Sequence, residues 1–102
     1  MTGTARRGAL VGYGVIGEGH ADGYERQTDL EIVAVVDVCA ERRDAGVGRF
    51  PLANGYSSIQ QAIDGERLDF IAICTPPSFH SAQISLGLNH DLFVLCEKPL
   101  LP

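Results

Sequence analysis

Basic residues are scarce in this chain. Eight lysines and arginines stand against thirteen acidic residues, and the net charge is −5. No basic cluster is present to neutralise phosphates, which argues against a nucleic-acid partner and equally against an anionic membrane surface. Cysteine is also sparse. Cys39, Cys74 and Cys96 make an odd count with no framework spacing, the usage expected of reduced thiols in a cytoplasmic protein. All three lie in or beside apolar runs and read as small buried hydrophobes. Paired ligands at short spacing are lacking, so no zinc or other metal site is expected. The Arg6-Arg7 pair is not followed by a long apolar stretch, since Ala9-Leu10-Val11 stops at Gly12. That argues against an export signal. No run approaches the length of a membrane span, and there are neither repeats nor low-complexity segments.

What is present is the composition of an ordinary globular protein, 45% hydrophobic and 21% charged. At 102 residues the chain is expected to form one domain, residues 1–102, around one modest core. Short apolar runs alternate with longer mixed segments. Strands are predicted over Gly8 to Val11, Ile32 to Val36, Phe70 to Cys74 and Leu92 to Cys96, with a weaker one at Asn54 to Tyr56. The four main runs are apolar throughout rather than alternating, the mark of a parallel sheet covered on both faces. Helices are predicted over Val15 to Gln27, Ala40 to Gly46, Ser57 to Asp64 and Ser78 to Leu88. Serines suit the start of the third, and a proline pair precedes the fourth. The order β-α-β-α-β-α-β-α-β with right-handed crossovers is a doubly wound α/β sheet.

Four motifs carry chemistry. The first is Gly12-Tyr13-Gly14-Val15-Ile16-Gly17, which follows the first apolar strand and opens a helix. Gly12 permits a tight turn, Gly14 lets a pyrophosphate approach the backbone, and Gly17 lets the helix pack on the strand. The helix start then offers free N–H groups to phosphates. The second is Asp37, twenty residues beyond Gly17 at the end of the second apolar run. That is the place of the acid that accepts the hydroxyls of an adenosine ribose, and Val38 joins it as an expected cofactor contact. A carboxylate there favours NAD over NADP. Arg42 and Arg43 leave NADP open, because an arginine past the second strand can hold a 2′-phosphate. As members of a charged helix face beside Glu41 and Asp44, both also fit simple exposure to solvent. The third motif runs Cys74-Thr75-Pro76-Pro77-Ser78-Phe79-His80 after the fourth strand. Its prolines stiffen a loop on the ligand-binding edge, and His80 faces either cofactor or solvent. The fourth is Glu97-Lys98-Pro99 after the last strand, on the same edge. Lys98 is the sole lysine. An ammonium there can exchange a proton with a substrate, with Glu97 orienting it or touching the cofactor.

Taken in order, GYGVIG, VVD, CTPPSFH and CEKP resemble the N-terminal Rossmann domain of the Gfo/Idh/MocA oxidoreductases, from about Arg7 to Leu100. The resemblance implies that Lys98 acts in catalysis and that Thr75, Pro76 and His80 border the cofactor. It implies a secondary alcohol of a sugar, inositol or related polyol as substrate. Members of that family have a second α/β domain with an open antiparallel sheet, which supplies substrate contacts and usually the oligomer interface. The residues at hand stop before it, so they are expected to hold the cofactor half of an active site and to lack turnover alone. An apolar sheet edge left uncovered would invite pairing with a second copy. A dinucleotide-binding module without catalysis, or an inactive fragment, are the alternatives.

Overall fold

The computed structural model describes residues 6–12, 29–75 and 80–96. Its elements are β1 (Arg6–Val11), β2 (Leu30–Val36), α1 (Ala40–Arg49), β3 (Asn54–Tyr56), α2 (Ile59–Gly65), β4 (Phe70–Ile73), α3 (His80–Asn89) and β5 (Phe93–Cys96). The strands form one sheet in the order β3-β2-β1-β4-β5, and every pairing is parallel. This is the doubly wound arrangement. The chain steps outward from β1 to β2 and β3, then returns to the other side of β1 for β4 and β5. The reversal falls between β1 and β4, where Val11 pairs with Ile73.

The apolar runs form strands because both of their faces are buried. Ala9, Val11, Ala34, Val36, Ile71 and Ile73 point to one face, joined by Ile59 and Ala62 of α2 and flanked by Ile84 and Leu86 of α3. Leu10, Ile32, Val35, Phe70 and Ala72 point to the other, beneath Phe50, Ala53 and Val47 from α1 and its exit. Leu10, Ile71, Ile73, Val11, Val33 and Val35 are the largest fully buried side chains. Each contributes about 1.5–3 kcal/mol by leaving water. Gly8 leaves room for the Phe70 ring, which lies 2.0 Å from where a Cβ would stand. The edge strand β5 is less covered: Phe93 and Leu95 are 65% and 36% exposed.

Boundaries differ from the sequence reading in small, explicable ways. The first two strands start two residues earlier, because Arg6 and Arg7 pair with Leu30 and Glu31. The helix read as Ala40 to Gly46 continues to Arg49; Gly46 is buried and does not end it. Ser58 caps α2, its hydroxyl accepting from the Gln61 N–H at 3.2 Å. β4 ends at Ile73 rather than Cys74. The expectation of buried cysteines needs correction for Cys39 and Cys74, which are of intermediate exposure. Cys74 sits one residue past β4 and packs on the core from that position, whereas Cys39 lies three residues past β2, at the N-cap of α1. The helix expected over 15–27 lies outside the described residues.

Candidate functional site at the carboxyl edge

The carboxyl ends of β1, β2 and β4 are laced together by main-chain bonds. The Gly12 N–H donates to the Val36 carbonyl at 2.7 Å, and the Cys74 N–H donates to the Val11 carbonyl at 2.8 Å. The Asp37 N–H donates to the Tyr56 carbonyl at 3.1 Å, adding β3. The residues that leave these strands are therefore held in fixed positions around the reversal point, where open α/β sheets bind ligands.

Gly12 is required there on two counts. Its φ is +88°, a conformation L side chains rarely adopt. A Cβ would also lie 2.7 Å from Thr75 Cγ2 and 3.2 Å from the Thr75 nitrogen. The exits of β1 and β4 approach so closely that no side chain fits between them. The sequence supplied the first reason; the contact with Thr75 emerges only from the fold.

Asp37 is 8% exposed and is the sole buried polar or charged residue among the described ones. Its Oδ1 accepts from the Cys39 N–H at 2.9 Å, and its carbonyl accepts from Arg43 Nη1 at 3.0 Å. These bonds hold the carboxylate at the end of β2. The following Val38 is 86% exposed, so a bare apolar surface adjoins a buried acid. Arg42 and Arg43 part company. Arg42 is exposed on α1, as a solvated helix face would have it. Arg43 is half-buried, its stem 2.9 Å from where a Gly55 Cβ would stand and its head on Asp37. That engagement corrects the reading of Arg43 as a solvent-facing residue: the turn after β2 brings the Asp37 carbonyl within its reach.

Thr75 follows β4, and its hydroxyl donates to Gln83 Oε1 at 2.5 Å. His80 is the first residue of α3. Sequence reasoning missed Gln83; a glutamine eight residues beyond a threonine carries no local signal. Tyr13, Gly14, Val15, Ile16, Gly17, Pro76, Glu97 and Lys98 lie outside the described residues. Among the described residues no three of His, Cys, Asp and Glu gather in a way that would hold a metal ion. No helix among them is long and apolar enough to cross a membrane.

A cradle closed to side chains at the β1 exit, a buried acid at the β2 exit and an apolar platform beside it fit a dinucleotide, and define a dinucleotide-binding α/β domain. The comparisons make this specific. The sequence profile of the oxidoreductase family with an NAD-binding Rossmann fold matches residues 6–102. The chain belongs to this family, that of the Gfo/Idh/MocA oxidoreductases, and NAD is its cofactor class. It is 33% identical over 97 residues to inositol 2-dehydrogenase of Corynebacterium glutamicum, covering 94% of this chain and 29% of the relative. It is 30% identical over 100 residues to D-glucoside 3-dehydrogenase of Escherichia coli, covering 97% and 28%. Among solved structures it superposes on myo-inositol 2-dehydrogenase of Lactobacillus plantarum with a TM-score of 0.86, at 28% identity, over 95% of this chain and 29% of that one. The WlbA dehydrogenase of Chromobacterium violaceum, crystallised with NADH and UDP-GlcNAcA, gives 0.89 at 28% identity over 98% and 29%. The chain thus spans under a third of the length of these relatives.

Proposed function

We propose that this chain is the cofactor-binding portion of an NAD-dependent dehydrogenase acting on a secondary alcohol or ketone of a sugar, inositol or related polyol. The observation that carries the reading is the pairing of Gly12, closed to any side chain, with the buried Asp37 one strand away. The relatives named for inositol and glucoside oxidation support the substrate class. A cytoplasmic setting belongs to the same reading, on the usage of three cysteines without framework spacing.

The roles follow from the residue chemistry. Nicotinamide, when bound, supplies the hydride acceptor or donor. Gly12, Gly14 and Gly17 leave the backbone open to the pyrophosphate, with Tyr13, Val15 and Ile16 carrying the turn into the helix. The Asp37 carboxylate accepts from the adenosine ribose hydroxyls, and Val38 presents apolar surface next to them. Cys74, Thr75, Pro76 and His80 line the edge at β4, and Glu97 does so after β5. Lys98 exchanges a proton with the substrate hydroxyl at its Nζ. Arg43 is held by Asp37; Arg42 is left as the basic residue available to a cofactor on α1.

The test is cofactor choice. Asp37→Asn keeps an oxygen for the Cys39 N–H and removes the charge. NADH and NADPH dissociation constants at one salt concentration should show wild type preferring NADH. The variant should lose about 10- to 100-fold in NADH affinity, the scale of a hydrogen bond to a charged group, and the gap to NADPH should narrow. Equal NADH affinity in both proteins would remove Asp37 from the site. Tighter NADPH binding by wild type would transfer the role to Arg42.

A further inference from the structure

We propose that Gln83 is a positioning residue for the nicotinamide half of the cofactor site, acting through Thr75; this rests on the dinucleotide reading above. Three observations converge. Thr75 stands at the carboxyl end of β4, directly across the reversal point from Gly12, and its Cγ2 occupies the space a Gly12 side chain would need. The Thr75 hydroxyl is turned to Gln83 on the first turn of α3 and bonded to it at 2.5 Å in a partly buried setting. The Cys74 N–H is already bonded to β1, so the main chain entering Thr75 is fixed while its side chain takes its orientation from α3.

Threonine has two branches on Cβ and few χ1 choices. With the hydroxyl held by Gln83, the methyl is placed against Gly12. Without that bond the hydroxyl and the methyl can exchange places, and the surface beside the β1 exit changes shape and polarity. Asp37 and Val38 lie on the far side of β1, at the end of β2. The consequence is selective: a ligand reaching across the reversal point feels Gln83, whereas one confined to the β2 side does not. Gln83 thereby acts on how the β4 edge is presented, not on the adenosine contacts.

The experiment is a double-substitution cycle read with two ligands, NADH and AMP, the latter lacking both the pyrophosphate bridge and the nicotinamide half. Gln83→Leu and Thr75→Val each remove one partner at similar shape; Thr75→Ser keeps the hydroxyl. Gln83→Leu and Thr75→Val should each weaken NADH binding about fivefold, the worth of one net hydrogen bond, with AMP binding unchanged. The double variant should be no weaker than either single one, and Thr75→Ser should lose less than Thr75→Val. Unchanged NADH affinity in Gln83→Leu, additive losses, or equal losses for NADH and AMP would each overturn the positioning role. Wild type binding neither ligand would overturn the dinucleotide reading itself, and the role of Gln83 with it. The thermal midpoint of each variant, measured alongside, identifies any loss that comes from unfolding.

Discussion

The two edges of the sheet are built on different principles. At the amino edge, side-chain charges reinforce the main-chain bonds that Arg6, Asp69 and Phe93 donate to Asp29, Arg7 and Asp69. Arg7 Nη2 meets Glu66 Oε1 at 3.1 Å, Arg7 Nε donates to the Arg67 carbonyl at 2.8 Å, and Arg7 Nη1 lies 3.7 Å from Glu31. Asn54 and the Tyr56 hydroxyl both donate to Glu66 Oε2 at 2.7 Å, while Asp69 accepts from the Arg7 N–H at 2.8 Å and pairs with Arg67 at 3.0 Å. One arginine thus ties β1 to β2 and to the α2–β4 connection. At the carboxyl edge the joining is done by main-chain bonds, and the side chains there are a glycine, one buried acid and a short hydroxyl. A network that satisfies its own charges has little left for a ligand. An edge fastened by its backbone, with few and short side chains, keeps open space at the disposal of one. The architecture of the sheet therefore separates side-chain charge networks from the open edge proposed to bind.

Electrostatics follow the same division. Burial pushes the Glu66 carboxyl up, but the hydrogen bonds from Asn54 and Tyr56 and the charge of Arg7 outweigh it and hold the group below its ordinary value. The Arg7 main-chain N–H is the chief cause of a lowered Asp69, helped by Arg67 against the opposing effect of burial. Burial first, and then the adjacent Glu66 carboxylate, raise the Tyr56 hydroxyl. All three groups belong to the amino-edge network.

If the division is real, substitutions on the two edges should sort into different measurements. The largest effect belongs to the carboxyl side. Lys98→Ala should lower kcat by roughly 10²–10⁴ in a form of the protein that turns over, the usual scale of general acid–base catalysis. Cofactor affinity and thermal midpoint should change little. Lys98→Arg should not restore the rate, because a guanidinium keeps its proton at working pH. A fully active alanine variant would leave Glu97-Lys98-Pro99 as a strand-ending turn.

The next effect belongs to the amino side and should be the reverse in kind. Glu66→Ala removes the acceptor for Asn54, Tyr56 and Arg7 together and should destabilise the fold by about 2–3 kcal/mol in urea unfolding, within the range for stranding partly buried polar groups. NADH affinity of the folded protein should be unaffected. A loss of affinity with no loss of stability would show that the edges are coupled.

The smallest effect is in pH dependence. Glu66 and Asp69 are lowered in the folded state, so the stability they contribute is complete above their unfolded values and is lost as pH falls through the folded ones. The thermal midpoint should be flat near neutrality and decline below about pH 4.5. Glu66→Gln should start from a lower midpoint and decline less steeply. An acid limb identical to wild type would mean that other carboxylates govern it.

Much of the architecture is legible in the sequence because it depends on neighbours along the chain. Runs such as Ile32 to Val36 are apolar at every position, and only a strand covered on both faces uses such a run. The positive φ of Gly12 and the place of Asp37 at a strand end are likewise local consequences of a turn and of spacing. What sequence could not supply is everything that depends on where distant segments land. Arg7 reads as half of an arginine pair, and only the return of the chain after α2 brings Glu66 and Asp69 to it, some sixty positions away. Arg43 reads as a solvated charge until the turn beyond β2 aims the Asp37 carbonyl at it. Thr75 becomes the neighbour of Gly12 because β4 pairs with β1 and not with β3. Periodicity and spacing determined which segments are strands and which residues leave them at the carboxyl edge; the order in which parallel strands pack, set by burying both faces of the sheet at once, decided which of those residues meet.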